Sequence, residues 1–276
     1  MFREKCKIIE NKKVAPGHYV LKLASPRISK NARPGQFVQI LCADSTDPLL
    51  PRPFSFLTAS KKDFSILYQV VGNGTKILSQ AAKGDSLWIL GPLGNGFSKA
   101  QKGEDLVLVG GGVGIPPLYH LAQALVNRTT SVRSGSWHRT WSDKPNNIHV
   151  FLGARNKSLL LYERDFKKLG VNLHIATDDG SKGSKGFVTE ILEGFLKSRQ
   201  RTPAKIYTCG PTPMLKAVSL VSQKYQVPCE VSVEVPMACG FGACLGCAIE
   251  VDDSRGRRFA VACTEGPVFQ AKEIIW

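Results

Sequence analysis

The sequence predicts a multidomain protein in which an antiparallel β-barrel is followed by an α/β domain with a parallel sheet and by a small C-terminal module. Three observations support this prediction. Short apolar runs separated by turns fill the first 100 residues, strand and helix patterns alternate from about residue 104, and "CGFGACLGC" lies near the C-terminus. The 276 residues suffice for two ordinary domains and a third small module. We predict domain ranges of 1–100, 101–228 and 229–276.

The barrel prediction depends on the spacing of short β segments. These segments lie at 18–24, 36–41, 64–71 and 86–90, and the turn sequences "APG", "RPG", "KGD" and "GPLGNG" punctuate this part of the chain. A helix is predicted to begin at Gly74-Thr75 and to continue through "KILSQAA". Short strands at this spacing are typical of a small antiparallel barrel.

The middle of the chain alternates apolar runs with helical segments. "LVLV" precedes "LYHLAQALV", "IHVFL" precedes "SLLLYERDFKK", "VNLHIA" precedes "FVTEILEGFLK", and "KIYTC" precedes "PMLKAVSLVSQKY". This alternation indicates a parallel sheet covered on both faces. Residues 127–147 interrupt it with a connection longer than the usual few residues. We interpret this segment as a surface insertion; alternatively, Trp137 and Trp141 form a partner-docking loop.

Charge and composition argue against nucleic-acid binding, membrane attachment and secretion. The formal charge is +15, but no Lys/Arg-rich run is interleaved with aromatic residues, so nucleic-acid binding is not expected. Anionic cofactors or an acidic partner subunit fit this charge equally well. No apolar run approaches the roughly 18 residues of a membrane span, and the polar N-terminus does not resemble a signal peptide. We therefore expect a cytoplasmic protein without membrane attachment, whose eight cysteines are ligands and core residues rather than disulfides.

The spacing of four cysteines predicts a metal centre. Cys239, Cys244 and Cys247 crowd one glycine-rich loop, and Cys263 follows from a separate segment. A structural zinc site usually gathers two close pairs of ligands, whereas the C-x4-C-x2-C…C spacing is that of plant-type [2Fe-2S] proteins. The glycines allow the backbone to wrap a cluster and to direct N–H groups at its sulfurs. The spacing favours the cluster, and zinc remains the alternative.

Two motifs in the barrel region predict a dinucleotide site. "RPFS" places Arg52 at the start of a strand, and in "GNGT" Thr75 lies where a helix begins. The free N–H groups and the dipole of the helix start would bind a pyrophosphate together with the arginine. The ligand expected there is a flavin dinucleotide.

Two further motifs lie at predicted strand ends of the α/β region. In "LVLVGGGVGIPPL" a strand enters a glycine turn and a helix leaves it, which is a geometry that binds pyrophosphate. The full G-x-G-x-x-G pattern is absent, and no acidic residue follows at the usual distance, so a tight turn without ligand is the alternative. In "YTCGPTPML" Cys209 ends a strand at the edge where α/β sheets bind ligands.

Taken in order, these motifs resemble the ferredoxin–NADP reductase superfamily, and within it the electron-transfer subunits of bacterial NAD-dependent (class 1B) dihydroorotate dehydrogenases. The resemblance covers nearly the whole chain, and the cysteine loop with the following "CTEGPVF" is its most specific part. It implies an FAD held by the barrel, an NAD-binding α/β domain and a C-terminal [2Fe-2S] domain. The segment 127–147 departs from the short connection usual in the family.

The resemblance also implies roles for individual residues. It places at the FAD site Arg52, Pro53, Phe54, Ser55, Leu67, Tyr68, Gln69, Gly74 and Thr75. It places at the nicotinamide-nucleotide site Gly111, Gly112, Gly114, Cys209, Gly210 and Met214. It assigns the cluster to Cys239, Cys244, Cys247 and Cys263.

Such a chain would convert between hydride transfer and single-electron transfer. A flavin can exchange a hydride with nicotinamide and can exchange single electrons with an iron–sulfur cluster. The sequence contains no evident machinery for oxidising an organic substrate, so a partner is expected to supply it. The resemblance implies the FMN-containing dihydroorotate dehydrogenase catalytic subunit, in a heterotetramer of two copies of each subunit. Electrons would pass from dihydroorotate through FMN, the cluster and FAD to NAD.

The sequence leaves open the nucleotide preference, the partner protein and an alternative from a different protein class. A preference for NAD over NADP is a hypothesis based on Asp178 and Asp179, which follow a predicted strand where the adenosine ribose would bind. The same chemistry could serve another partner, as in a sulfide-dehydrogenase-like or transhydrogenase-like subunit. A zinc-stabilised, basic nucleic-acid-binding protein is the alternative from a different class.

Overall fold

The computed structural model describes residues 1–101, 103–126, 147–199 and 204–276. Within them the chain forms a closed six-stranded barrel, a seven-stranded sheet and a two-stranded hairpin. The predicted insertion at 127–147, with Trp137 and Trp141, lies outside the described residues except for its last position. No helix in the described part of the chain is long and apolar enough to cross a membrane.

The barrel is antiparallel, as predicted, with the strand order β1-β2-β5-β4-β3-β6. Its strands are β1 (Phe2–Ala15), β2 (His18–Ala24), β3 (Phe37–Leu41), β4 (Arg52–Ala59), β5 (Asp63–Gln69) and β6 (Ser86–Leu93). Two helices, α1 (Pro26–Asn31) and α2 (Asn73–Gln80), interrupt them. The apolar pattern does not predict β1, because only Cys6 and Ile8 of this strand are buried and charged residues alternate around them.

One polar side chain ties α2 to the barrel. Asn11 Nδ2 donates hydrogen bonds to the carbonyl oxygens of Leu78 and Ala81, at the end of α2, over 2.8 and 2.9 Å. Its Oδ1 accepts from the Tyr68 hydroxyl over 3.1 Å. Because Tyr68 lies in β5, this network fixes the helix relative to a strand that carries predicted FAD-site residues.

The second sheet is parallel except at one edge, where β15 pairs antiparallel with β12. Its order is β10-β9-β8-β7-β11-β12-β15. The strands are β7 (Asp105–Gly111), β8 (Ile148–Ala154), β9 (Asn172–Thr177), β10 (Ser184–Lys185), β11 (Ala204–Cys209), β12 (Cys229–Ser232) and β15 (Val268–Gln270). The predicted boundary after residue 228 therefore cuts through this sheet, because β12 pairs in parallel with β11.

Helices cover both faces of this sheet. They are α3 (Ile115–Val126), α4 (Glu163–Lys168), α5 (Val188–Ser198) and α6 (Thr212–Lys224). The helix predicted over "SLLLYERDFKK" is shorter than the pattern suggests. Tyr162 adopts the left-handed conformation, with φ of 60°, and separates a 3-10 turn at Lys157–Leu159 from α4.

The C-terminal hairpin consists of β13 (Ala248–Asp253) and β14 (Gly256–Val261), and it lies between the cysteine loop and Cys263. Arg258 joins Asp253 and Glu265 by ion pairs of 2.8 and 2.7 Å. Asn95, just after the barrel, donates to the carbonyl oxygen of Glu265 over 2.9 Å. These contacts anchor the segment that carries Cys263 to both the hairpin and the barrel.

A pair of histidines lies on one face of the parallel sheet. His149 Nδ1 and His174 Nε2 are 3.3 Å apart, and the two rings pack against Phe151 and Phe195. Burial lowers the pKa of both imidazoles. The charges of His174 and Arg199 lower the pKa of His149 further, whereas Asp105 raises it.

We expect this pair to make the stability of the protein depend on pH. A histidine whose pKa is lower in the folded state is more protonated when unfolded, so stability falls as pH drops below the usual histidine pKa of about 6.5. Above that pH the contribution is fully present. Melting temperatures measured between pH 5 and 8 should fall less steeply at the acidic end in a His149→Gln/His174→Gln variant. An unchanged slope in that variant would contradict this interpretation.

Candidate cofactor sites

A cavity of about 390 Å³ lies between the barrel and the carboxyl edge of the parallel sheet. Eight of the nine residues predicted for the FAD site line it: Arg52, Pro53, Phe54, Ser55, Leu67, Tyr68, Gln69 and Thr75. The opposite wall comes from α3, from the ends of β11 and β12, and from the segment 233–237. The fold thus brings β4, β5 and the start of α2 to one space, although the roles of these residues stay predictions.

The start of α2 lies close to the side chain of Arg52. A side chain on Gly74 would place its Cβ 3.5 Å from Arg52 Nε, so the guanidinium lies against the helix start. Thr75 is buried, and its hydroxyl accepts from the N–H groups of Val71 and Gly72 over 2.9 and 3.2 Å. These bonds hold the turn in place. An arginine beside a helix start is suited to bind a diphosphate.

The residues predicted for the nicotinamide nucleotide converge around the end of β11. A Cβ on Gly114 would lie 2.3 Å from the Cys209 carbonyl carbon, and one on Gly111 would lie 3.2 Å from Met214 Sδ. Gly210 has a φ of 156°, and a Cβ there would lie 2.5 Å from Met214 Cε. Of this set only Cys209 lines the cavity.

Gly112 differs from the other glycines of this set. Its φ is 58°, and a side chain there would meet nothing within 4 Å. The left-handed conformation, rather than lack of space, is what favours glycine at this position. The turn at the end of β7 therefore faces open space, as a nucleotide site at a sheet edge requires.

Sequence reasoning missed the wall formed by the segment 233–237. Glu234 is the only acidic residue among those that line the cavity. Burial raises its pKa, and its charge contributes, after burial, to the raised pKa of Cys209. Both residues line the cavity. The available signal was a single carboxylate in the apolar run "VSVEVPM".

The four predicted cluster ligands include two pairs of interacting thiols, Cys239 with Cys244 and Cys263 with Cys247. Cys263 also interacts more weakly with Cys239. Burial, followed by the hydrogen bond with Cys247, raises the pKa of Cys263 to about 12. The backbone N–H of Gly242 donates to Cys263 Sγ over 3.1 Å.

The pKa of Cys239 is lowered, whereas that of Cys263 is raised. Burial raises the pKa of the Cys239 thiol, but hydrogen bonds from the backbone of Cys244, Phe241 and Ala243 outweigh burial and lower the pKa to about 6. Gly240 and Gly242 have φ values of 81° and 88°, a region that side chains disfavour. The glycines thus let the loop direct N–H groups at sulfur, as predicted.

The four cysteines provide the thiols that a two-iron cluster would need. A mononuclear zinc site needs four ligands around one point, whereas each iron of a [2Fe-2S] cluster takes only two protein ligands. The two thiol pairs meet the second requirement. All eight cysteines are free.

The cysteine site and the cavity share one layer of side chains. Phe37 and Met237 line the cavity, and both pack in the same buried cluster as Cys247 and Cys263. This buried apolar cluster therefore connects the wall of the cavity with the cysteine loop.

The two aspartates considered for cofactor preference follow β9, at the carboxyl edge of the sheet. The Asp179 carboxylate accepts from the N–H of Ser181 over 2.9 Å, so it stabilises its own turn. Asp178 is exposed. The preference for NAD stays a hypothesis that depends mainly on Asp178.

Comparison with known proteins agrees with this arrangement. The family model described as the iron-sulfur cluster binding domain of dihydroorotate dehydrogenase B matches residues 234–275, and that of the oxidoreductase NAD-binding domain matches residues 108–220. A chain of a solved NADH-dependent reduced ferredoxin–NADP oxidoreductase is 31% identical, with a TM-score of 0.82 over 98% of this chain and 90% of that one. A ferredoxin–NADP+ reductase from Neisseria gonorrhoeae, solved with FAD and NADP, shares the fold at 16% identity, with a TM-score of 0.66 over 81% of this chain and 91% of that one.

The curated relatives are similar over nearly their whole length. A dihydroorotate dehydrogenase B (NAD(+)) electron transfer subunit from Desulforamulus reducens is 38% identical over 95% of this chain and 94% of its own. One from Caldanaerobacter subterraneus subsp. tengcongensis is 37% identical over 100% and 99%. Sequence, cavity and paired cysteines therefore agree, and this chain belongs to the family of dihydroorotate dehydrogenase B (NAD(+)) electron transfer subunits.

Proposed function

We propose that this chain is the electron-transfer subunit of a dihydroorotate dehydrogenase B and passes electrons from an FMN-containing catalytic subunit to NAD+ in pyrimidine (UMP) biosynthesis. The observation that supports this most is the single layer of side chains between the thiol pairs and the cavity. A hydride site and a one-electron site this close suit a protein that converts one kind of transfer into the other.

Each cofactor has a set of residues that would hold it. Eight of the nine residues predicted for FAD line the cavity, and the ninth, Gly74, lies beside Arg52, whereas those predicted for NAD surround the end of β11. The paired cysteines would ligate a [2Fe-2S] cluster. When bound, the flavin supplies exchange of a hydride with nicotinamide and of single electrons with the cluster.

The protein's own groups orient the reactants and exclude water. Cys209 and Glu234 both line the cavity and would contact a nicotinamide ring that approaches the flavin from this wall. Gly114 packs against the Cys209 backbone and fixes the position of that thiol. Met237 closes the cavity on the side of the cluster.

The electron donor must approach from outside, and a surface groove beside the cysteine loop suits it. This groove of about 600 Å³ is lined by Leu50, Trp88 and Phe241 together with Cys239 and Cys244. Leu50 is 48% exposed and Phe241 is 49% exposed, and both line the same groove as the exposed Cys244, a proposed cluster ligand. Contiguous exposed apolar surface of this kind marks an interaction site. We propose that the catalytic subunit covers it, in a cytoplasmic heterotetramer of two copies of each subunit.

Substitution of Phe241 by glutamate tests this assignment. A charge at the centre of an apolar interface should weaken binding of the purified catalytic subunit by about 30-fold, the effect of a ~2 kcal/mol hot spot. Dihydroorotate-dependent reduction of NAD+ should fall with it, while NADH oxidation by the isolated chain with a dye acceptor stays unchanged. Phe259→Glu, at a 70% exposed residue of β14, is the control. Equal losses at both positions would refute the proposed face.

A second candidate has a specific observation in its favour. The 31% identity to a chain of the NADH-dependent reduced ferredoxin–NADP oxidoreductase allows a related flavin and iron–sulfur reductase that serves another partner. Reduction of this chain by dihydroorotate through the FMN-containing subunit distinguishes the two. Reduction by ferredoxin, with none by dihydroorotate, would favour the second candidate.

A further inference from the structure

Gln39 occupies an unusual position between the cavity and the cysteine loop. Along β3, Val38 and Ile40 point into the barrel core, whereas Phe37, Gln39 and Leu41 point out of the barrel. Phe37 lines the cavity, and Gln39 lies two residues further along the same face. The cysteine loop covers Gln39 so closely that its exposure is only 1%.

The carboxamide of Gln39 lies against the backbone of the loop. Its Nε2 donates a long hydrogen bond of 3.5 Å to the carbonyl oxygen of Met237. A Cβ on Gly240 would lie 2.5 Å from Gln39 Cγ and 2.9 Å from its Nε2, so only glycine fits over the amide. The N–H end of the side chain therefore faces the segment that leads into Cys239.

Packing alone does not account for this side chain. Among the described residues, the Gln39 Oε1 atom is buried without a hydrogen-bond partner. An unsatisfied buried acceptor destabilises the contact, and a methionine of similar size would fill the same space without that penalty. Gln39 lines the same groove as Cys239 and Cys244, so its oriented amide dipole has an electrostatic effect on these two proposed ligands.

We propose that Gln39 is a positioning residue that seats the cysteine loop on the barrel and raises the reduction potential of the cluster. Hydrogen bonds and dipoles near the sulfurs help to set the potentials of iron–sulfur clusters. An amide that presents its N–H end stabilises the more negative, reduced state. This inference depends on the proposed function, because it requires a cluster at the four cysteines.

The test is the reduction potential of the cluster in the isolated holo-chain, measured by an anaerobic redox titration followed by electron paramagnetic resonance. Gln39→Met removes the dipole but keeps the volume. We expect it to lower the ratio of reduced to oxidised cluster at a fixed poise by about tenfold, which is ~59 mV for a one-electron couple. Iron content should stay at the level of the unaltered protein.

Two further variants separate electrostatics from packing. Gln39→His restores an N–H donor and should recover part of the potential. Leu41→Met changes an apolar side chain on the same face of β3 and should leave the potential unchanged. Equal potentials in the unaltered protein and Gln39→Met, with full iron content, would overturn the inference. Absence of iron from the unaltered protein would instead overturn the proposed function, and this inference with it.

Discussion

Replacing Cys247 with alanine should abolish the cluster, and iron content should fall from about two atoms per chain to nearly none. Cys247 is only 2% exposed and its thiol interacts with that of Cys263, so its removal would take away one of the four proposed thiol ligands. Iron and sulfide assays on anaerobically purified protein measure the effect directly. Dihydroorotate-dependent reduction of NAD+ should be lost, while bound FAD and NADH oxidation with a dye acceptor persist.

Cys6→Ala is the matched control for this substitution. Cys6 is 1% exposed and packs in the barrel core, away from the cysteine loop. Its replacement leaves a small cavity and should lower stability without loss of iron. Full iron content in Cys247→Ala would contradict the assignment of the ligands, and iron loss in both variants would show that the effect is one of folding.

A methyl group on Gly114 should uncouple NADH from the flavin. Its Cβ would lie 2.3 Å from the carbonyl carbon of Cys209, so the start of α3 and the end of β11 must move apart. A displacement of about 1 Å near reacting groups can cost about 100-fold in rate. We therefore expect Gly114→Ala to lower the rate of flavin reduction by NADH about 100-fold, measured by stopped flow, with FAD and iron contents retained.

Gly194→Ala is the control for Gly114→Ala. Gly194 lies within α5, and a side chain there would meet nothing within 4 Å. Alanine favours the helix by up to about 1 kcal/mol over glycine, so this variant should be as active as the unaltered protein and slightly more stable. A normal rate of flavin reduction in Gly114→Ala would show that Cys209 is not part of the nicotinamide site.

The architecture could be predicted because its local signals are strong. Turn residues between short strands indicated the barrel, and alternation of strands and helices indicated the parallel sheet. β1 lacked such a signal, because charged residues surround its two buried side chains, Cys6 and Ile8. The return of β15 to the edge of the sheet depends on pairing with β12, a contact between distant residues that no local pattern reveals.

Some residues of the candidate site could likewise be predicted from the sequence, and others could not. Three of the four proposed cysteine ligands could be identified because the spacing typical of a cluster falls within a single loop, and Cys263 was assigned from the family resemblance. The cavity residues of β4 and β5 were predicted because of motifs shared with a family. Glu234 and Gln39 were not predicted, since a lone carboxylate or amide in an apolar run acquires its role only when the chain brings the barrel, the sheet and the loop together.

We infer that one chain holds a hydride site and a one-electron site in electronic contact. An anaerobic titration of the isolated holo-chain with NADH, followed by visible and electron paramagnetic resonance spectra, examines both sites at once. We predict that flavin and iron–sulfur absorption bleach together and that the signal of a reduced [2Fe-2S] cluster appears. A colourless protein that contains zinc, or a flavin reduced by NADH beside a cluster that stays oxidised at every poise, would contradict it.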